Sequence, residues 1–248
     1  PGRIQAMFVT HEHSDHVKGL GVVLRGLAKI GNVPPVFAAG ACTANSSALA
    51  KAAEAFDVRE LTTACAPAGS RDMASAAFDG ATVHTAGPGA IEAAGMRIVP
   101  FATSHDAAAS FGFRVESPDG DALGYITDSG IVTSAAHAAL RDVRILALES
   151  NHDERMLKNG DYPYIIKKRI ASELGHLSNP QATDELATLI TESRAAGLRT
   201  PETVVAMHIS QNNNDYDLPR AALEEGLAIA NGNARILCGY QGRLTSVK

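Results

Sequence analysis

The chain has 248 residues, 45% of them hydrophobic, which is enough for one large or two small α/β domains with a buried core. This composition excludes a disordered tail and a small disulfide-stapled scaffold. The formal net charge of −5 excludes a generally basic nucleic-acid binder, so contact with a polyanion would need a local basic patch or bound metal ions.

Short apolar runs alternate with longer Ala-rich stretches, and this alternation predicts an α/β fold. Strands are predicted at residues 4–10, 33–39, 96–102, 110–116, 122–127, 144–149, 203–208 and 234–239. Helices are predicted at residues 17–30, 41–56, 134–141, 163–174, 179–196 and 219–230. Residues 62–93 are rich in Ala, Gly, Thr and Pro and are assigned only loosely. Because no repeat or linker is evident, we expect a single domain over residues 1–248.

Three cysteines, Cys42, Cys65 and Cys238, match neither a zinc ribbon nor a CxxC motif, so we expect reduced thiols. We find no signal peptide and no apolar run long enough to span a membrane, and therefore expect a cytoplasmic protein. The sequence leaves the oligomeric state open.

Five polar residues follow a common pattern, because each lies at or just after the C-terminal end of a predicted strand. They are His11, His105, Asp128, Glu149 and His208. Open α/β folds place their functional sites on the loops at this edge of the sheet. Alone, most of these residues would be surface, turn or strand-end residues. Their shared position favours one common site.

The run HEHSDH at residues 11–16 follows a hydrophobic strand directly. His11 and His13 are two residues apart, so their side chains point the same way in an extended segment. Imidazole nitrogens suit zinc and similar ions, and a carboxylate suits a harder ion or a bridging position. This spacing therefore predicts a metal site rather than a solvated His-rich turn.

With this motif and the later His, Asp and His, the chain resembles the metallo-β-lactamase superfamily. More closely, it is similar to the YycJ/WalJ (VicX-like) exonuclease branch of that superfamily. The matching runs are THEHSDHVKG at 10–19, SHDA at 104–107, YITDSG at 125–130, ESNHD at 149–153, GHLSN at 175–179 and MHISQNN at 207–213. Together they cover nearly the whole chain.

The resemblance implies an αββα sandwich and two divalent metal ions, Zn or Mn, with Fe as a further possibility. The first ion would be held by His11, His13 and His105, and the second by Asp15, His16 and His208, with Asp128 bridging them. A water between two such ions is acidified and supplies hydroxide at neutral pH. Members of this branch carry a strand pair ahead of the motif, which here begins at residue 11, so we expect those first strands to be absent.

The resemblance also implies catalytic residues. The tRNA-processing ribonuclease Z group has a similar Gly-His-Ser segment whose histidine donates a proton, which predicts His176 as a general acid. A metal-ligand or structural role for His176 remains an alternative, and Asp15 is counted with it as catalytic. His152 is predicted to orient His176 or contact a phosphate, with Glu149 as a carboxylate partner, unless its loop is simply solvated.

The remaining predicted substrate contacts are Ser178, Asn179, Lys167, Lys168 and Arg169. Ser178 or Asn179 also suits the N-cap of the following helix. The three basic residues follow two tyrosines, a combination that suits phosphate contact and base stacking, although a solvated helix face would look the same.

These observations predict a dinuclear phosphodiesterase that uses a metal-bridging hydroxide, and the branch resemblance implies a DNA exonuclease. We expect the substrate to be DNA rather than RNA. The alternatives are a hydrolase of small esters, thioesters or cyclic phosphodiesters, and a non-catalytic regulatory domain on the same fold.

Overall fold

The computed structural model describes residues 4–63, 84–85 and 89–247. The chain divides into two compact units. The first comprises Pro1–Ala102, Ala107–Phe111 and Val115–Asp119, and the second comprises Thr103–Asp106, Gly112–Arg114 and Gly120–Lys248. Both units contain strands and helices, so the α/β class predicted from the sequence is confirmed. That residues 1–248 form a single domain stays a prediction.

The first unit contains a parallel sheet with the order β1-β2-β3. Its strands are β1 (Met7–Phe8), β2 (Val36–Ala38) and β3 (Val58–Glu60), with helices α1 (Ser14–Val17), α2 (Leu20–Ala28), α3 (Gly40–Asn45) and α4 (Ser47–Ala55). In this sheet Met7 lies opposite Val36, which lies opposite Val58. Val36 is fully buried, as are Leu24 on α2 and Leu49 on α4 to within 1%. The apolar faces of the helices thus provide the core of this unit.

The first unit also contains three antiparallel strands, β4 (His84–Thr85), β5 (Ile91–Ala93) and β6 (Met96–Ala102). Strand β7 (Phe111–Glu116) includes residues of both units. Strand β6 begins and ends at the residues that the sequence predicted.

The second unit contains four parallel strands, and its helices lie between them in the sequence. In sheet order the strands are β8 (Ala122–Ile126), β9 (Ile145–Glu149), β10 (Thr203–Met207) and β11 (Arg235–Cys238). The helices are α5 (Ser134–Leu140), α6 (Glu154–Asn159), α7 (Tyr164–Ile170), α8 (Asn179–Ala195) and α9 (Asp217–Ile229). The central strands β9 and β10 are buried along most of their length, as expected for parallel strands covered on both faces.

This parallel arrangement decides where the polar strand-end residues lie. The carboxyl ends of β8, β9 and β10 share one edge of the sheet. Asp128 follows β8 by two residues, Glu149 is the last residue of β9, and His208 follows β10 directly. The expectation of a shared sheet edge is therefore confirmed for these three residues. It is wrong for His11, which follows β1 in the three-stranded sheet.

Some helix boundaries differ from those predicted, for local reasons. The predicted helix 41–56 is divided into α3 and α4, because Ser46 adopts an extended conformation and its hydroxyl accepts a hydrogen bond from Leu49 N at 3.4 Å. The predicted helix 17–30 is shorter in the structure, where it corresponds to α2 (Leu20–Ala28), and α1 (Ser14–Val17) precedes it. The predicted helix 163–174 ends at Ile170. Strand β3 and helix α6 were not predicted.

Two of the three cysteines, Cys42 and Cys238, are buried free thiols, as expected, and Cys65 lies outside the described residues. Within the part of the chain that the structure describes, no helix has the length and apolar character needed to cross a membrane.

Leu148 tests the core of the second unit, because it is fully buried in the central strand β9. We expect Leu148→Ala to lower the free energy of unfolding by about 2–5 kcal/mol, through lost burial and the cavity that remains. Urea-induced unfolding followed by circular dichroism measures this change. Leu244→Ala is the control, since Leu244 is 92% exposed and should change stability by less than about 0.5 kcal/mol. Equal effects of the two substitutions would contradict this account of the core.

Candidate metal centre

The HEHSDH motif forms a loop between β1 and α1 in the first unit. Glu12 fixes this loop, because its carboxylate accepts a hydrogen bond from Ala108 N at 2.7 Å. Burial acts to raise the pKa of Glu12, but the hydrogen bonds it accepts lower the pKa overall, so the side chain is ionised. Thr10 O also accepts a hydrogen bond from Phe111 N at 3.0 Å. These two hydrogen bonds attach the start of the motif to the segment of residues 108–111.

Three imidazole rings converge within this loop, as the spacing of the motif predicted. The ring centroid of His11 lies 4.6 Å from that of His13 and 4.0 Å from that of His16. The Thr10 hydroxyl lies 3.2 Å from His11 Nδ1 and 3.0 Å from His16 Nδ1. His11 is fully buried, whereas the Asp15 side chain is 68% exposed. Such a concentration of ring nitrogens suits a transition-metal ion.

A second cluster lies entirely within the second unit. Asp128, Glu149, His176 and His208 each offer one ligand atom, and these atoms all lie within 4.8 Å of one another. Asp128 and Glu149 are buried, while the two histidines are partly accessible. Two carboxylates with two imidazoles form a donor set that suits a divalent metal ion.

Glu149 orients both histidines of this cluster. Its Oε1 atom accepts hydrogen bonds from His176 Nδ1 and His208 Nδ1, both at 2.9 Å. Its Oε2 atom accepts one from Ser129 N at 2.9 Å and one from Leu177 N at 3.5 Å. Complete burial acts to raise the pKa of Glu149, but the hydrogen bonds from the two histidines lower it, so the carboxylate is an anion.

His105 lies beside this cluster in the same unit. Its Nδ1 donates to Gly175 O at 3.1 Å, and its Nε2 lies 3.8 Å from Asp128 Oδ1. Burial lowers the pKa of His105, which favours the neutral imidazole that binds metals. Metal-binding histidines usually donate one ring nitrogen to a carbonyl or a carboxylate and coordinate through the other. The geometry of His105 fits that pattern, and so does the hydrogen bond from His208 to Glu149.

Two residues of the cluster have an unusual backbone conformation. Asp128 has φ 55° and His208 has φ 53°, in the left-handed region that non-glycine residues rarely adopt. The side-chain amide of Asn151 donates to His208 O at 2.7 Å and holds this conformation in place. Strain of this kind concentrates at functional sites.

Four polar residues join the three loops that carry Glu149, His176 and His208, and we call them the asparagine network: Ser150, Asn151, Asn179 and Asn214. The amides of Asn179 and Asn214 donate to each other, both at 3.0 Å. The Ser150 hydroxyl donates to Asn179 Oδ1 at 2.7 Å, and Asn214 Nδ2 lies 3.1 Å from Ser150 O and 3.0 Å from Asn151 O. All four residues are buried, so these bonds are shielded from water.

The sequence analysis did not predict this network, although a signal was present. ESNHD and GHLSN each combine a histidine with an asparagine of the network, and Asn214 directly follows MHISQNN. Several short polar side chains beside candidate ligands indicate loops that are fixed by side-chain hydrogen bonds.

The predicted substrate contacts have other partners in the structure. Ser178 is 2% exposed and caps α8 in a capping box with Gln181, and Asn179 belongs to the asparagine network. This geometry favours a structural role for both. His152 is 2% exposed, burial lowers its pKa, and its Nδ1 makes no hydrogen bond among the described residues. Glu149 therefore pairs with His176 and His208 rather than with His152.

The three basic residues at 167–169 differ from one another. Lys167 Nζ donates to Lys158 O at 2.8 Å, and Lys168 is exposed. The Arg169 guanidinium makes two hydrogen bonds to the carboxylate of Asp106, with Nη2 at 2.9 Å from Oδ1. Arg169 is therefore paired with Asp106, the residue that follows His105, whereas neither lysine forms an ion pair with a carboxylate of the described residues.

A sequence model described as the beta-lactamase superfamily domain matches residues 1–209. The chain belongs to the beta-lactamase superfamily. It is a hydrolase of the metallo-β-lactamase fold, and its His and Asp clusters are of a kind that could hold divalent metal ions.

Within this superfamily, two relatives carry exonuclease names. Exodeoxyribonuclease YycJ of Bacillus anthracis is 29% identical over 224 residues, which are 90% of this chain and 71% of the relative. Exodeoxyribonuclease WalJ of Streptococcus pneumoniae serotype 2 (strain D39 / NCTC 7466) is 28% identical over 234 residues, which are 93% of this chain and 73% of the relative. The resemblance to the YycJ/WalJ branch is thus confirmed.

Two solved structures support the superfamily fold. Human tRNase Z, short form, matches with a TM-score of 0.58 and 17% identity, over 100% of this chain and 80% of that structure. The metallo-β-lactamase fold protein YhfI from Bacillus subtilis matches with a TM-score of 0.57 and 15% identity, over 94% of this chain and 74% of that structure. At these identities the matches show a shared fold.

Asn214 tests the asparagine network of this superfamily member. In Asn214→Ala, the amide of Asn179 and the carbonyl groups of Ser150 and Asn151 lose buried partners. We expect the free energy of unfolding to fall by about 1–3 kcal/mol, measured by urea titration. Asn212→Ala is the matched control, because the side chain of Asn212 is exposed and donates to the Tyr162 hydroxyl at 2.7 Å, outside the network. If both substitutions cost the same, the network does not stabilise the loops.

Proposed function

We propose that the chain is a dinuclear metal-dependent phosphodiesterase that acts on nucleic acid, with DNA preferred over RNA. The observation that carries this proposal is the buried Glu149 carboxylate, which orients His176 and His208 beside Asp128 at the ends of parallel strands. The names of the YycJ and WalJ relatives support DNA as the substrate. A cytoplasmic location stays a prediction.

The proposed ligands are those implied by the family motif. His11, His13 and His105 would hold one ion, Asp15, His16 and His208 would hold the other, and Asp128 would bridge the pair. The observed donor chemistry fits, because neutral imidazoles and carboxylates are the groups that bind Zn²⁺ or Mn²⁺. When bound, two such ions would supply positive charge for the scissile phosphate and an acidified water as the nucleophile.

The proposed general acid is His176. Its Nδ1 donates to the Glu149 carboxylate, which fixes the orientation and the tautomer of the ring. The proton on Nε2 is then available for the oxygen that leaves when the phosphodiester bond breaks. The side chain is 17% exposed, so a substrate can approach it. Exposed Asp15 is proposed to orient the attacking water as well as to bind metal.

The alternatives receive less support. Hydrolysis of a small ester would not require the uncompensated charges of Lys167 and Lys168, which suit a polyanionic substrate. A non-catalytic regulatory role is disfavoured because every residue of the HxHxDH signature is present.

Metal content provides the first test. We expect protein purified without chelator to contain about two divalent ions per chain by elemental analysis, as two-metal sites require. His137→Ala is a control, because the ring of His137 bonds Glu185 and Glu192, outside the proposed ligands, and its loss should leave the metal content unchanged. Fewer than about half an ion per chain after reconstitution with Zn²⁺ or Mn²⁺ would overturn the dinuclear proposal.

Substitution of His176 and His208 separates proton donation from metal binding. We expect His208→Ala to lose metal and activity together. We expect His176→Ala to keep both ions and to cleave end-labelled DNA about 10²–10⁴-fold more slowly. It should cleave bis(p-nitrophenyl) phosphate at closer to the parent rate, because p-nitrophenolate leaves without a proton.

The same assays identify the opposite outcomes. If His176→Ala loses one ion, His176 is a metal ligand. If the variant loses activity equally toward DNA and bis(p-nitrophenyl) phosphate, His176 positions the substrate and does not protonate the leaving oxygen. A panel of end-labelled single- and double-stranded DNA and RNA tests the substrate, and absence of cleavage of all of them would refute the nuclease proposal.

A further inference from the structure

Helix α7 exposes two large hydrophobic side chains. Tyr164 is 79% exposed and Ile165 is 68% exposed, and both lie in the first turn of the helix. Lys168 follows Tyr164 by four residues, so these two side chains share one face of the helix. An aromatic ring next to a lysine is the combination that proteins use to stack a base and contact its phosphate.

The charge of this surface suits a polyanion. Lys167 donates to a backbone carbonyl, which is neutral, and within the described residues no carboxylate pairs with Lys168. Both positive charges are therefore uncompensated by an ion pair, in a chain whose net charge is −5. Arg169, by contrast, is neutralised by Asp106. The cationic part of α7 consists of the two lysines, beside the exposed Tyr164 and Ile165.

The opposite end of α7 is fixed to the proposed catalytic residues. His176 N donates to Ile170 O at 2.9 Å. A Cβ atom on Gly175 would lie 2.1 Å from Ile170 O, and a Cβ atom on Gly130 would lie 2.2 Å from Ser172 O. The segment after α7 is therefore in backbone contact with the segments that carry His176 and Asp128. At a rise of 1.5 Å per residue, Tyr164 lies roughly 9 Å along the helix from Ile170.

We infer that Tyr164 and Ile165 form a stacking platform for the bases of a single nucleic-acid strand, whose phosphates contact Lys167 and Lys168. This inference rests on the proposed nuclease function and extends it to a defined surface. Tyr164 lies at the end of α7 that is away from the contact between Ile170 and His176, so the platform would bind nucleotides other than the one whose phosphate is cleaved. We therefore expect a dinucleotide to be too short to reach it.

A fluorescence titration tests binding directly. The chain contains no tryptophan, so Tyr164→Trp introduces a single reporter into the platform. We combine it with His176→Ala to slow digestion, and titrate with a ten-nucleotide oligothymidylate. The emission should be quenched in a saturable, salt-sensitive manner. Val22→Trp in the same background is the control, because Val22 is 66% exposed on α2 in the first unit. An unchanged emission from the Tyr164→Trp reporter, or equal quenching of both reporters, overturns the inference.

Steady-state kinetics tests the expected length dependence. Tyr164→Ala should raise KM for the ten-nucleotide substrate by about 5- to 100-fold relative to KM for a dinucleotide, which is the loss expected for one stacked base. Tyr164→Phe should retain the parent ratio, since stacking needs the ring and not the hydroxyl. Val22→Ala should leave both constants unchanged.

Different results would refute the nuclease function and the stacking platform. If the oligonucleotide quenches the Tyr164→Trp reporter but the parent protein cleaves no nucleic acid, the nuclease function is refuted and the platform is left intact. A parent that cleaves DNA, with KM for every length unaffected by Tyr164→Ala, would refute the platform and leave the nuclease function intact.

Discussion

The carboxylate of Glu149 is fully buried at the end of a central strand, and an isolated charge in that position would cost several kcal/mol. The cost is offset by four donors, the Nδ1 atoms of His176 and His208 and the backbone amides of Ser129 and Leu177. These donors come from three loops that are far apart in the sequence. The requirement to compensate one buried anion therefore brings the proposed acid and a proposed metal ligand together.

The asparagine network holds the backbone segments that carry these side chains. Asn214 and Asn179 pair through reciprocal amide hydrogen bonds, and Asn151 holds the carbonyl of His208. A carboxylate can orient two rings only if their backbones are already at the right distance. The network fixes those backbones, and the close packing of Gly130 and Gly175 against residues 170–173 removes the remaining freedom. The positions of His176 and His208 are thus set by the surrounding backbone as well as by Glu149.

The sequence predicted the strands of the second unit well, because β9 is a buried run that ends at Glu149 and β10 is a buried run that His208 follows directly. It also placed Asp128, Glu149 and His208 at one sheet edge, since parallel strands share their carboxyl ends. Helix ends were predicted less well, as at Ser46, where a side-chain cap interrupts a continuous helical pattern. The partner predicted for Glu149, His152, is wrong, because tertiary contacts choose among several nearby histidines. For the same reason the sequence could not show that His137 bonds two glutamates of α8.

The left-handed backbones of Asp128 and His208 have a consequence for selection. An L-residue in this conformation costs on the order of 1 kcal/mol, and glycine at the same position would not. A protein selected for stability alone would therefore favour glycine at the two positions where its proposed chemistry needs a carboxylate and an imidazole. Folding stability and chemical competence compete at these residues, so variants isolated for heat resistance should be checked there first for lost function.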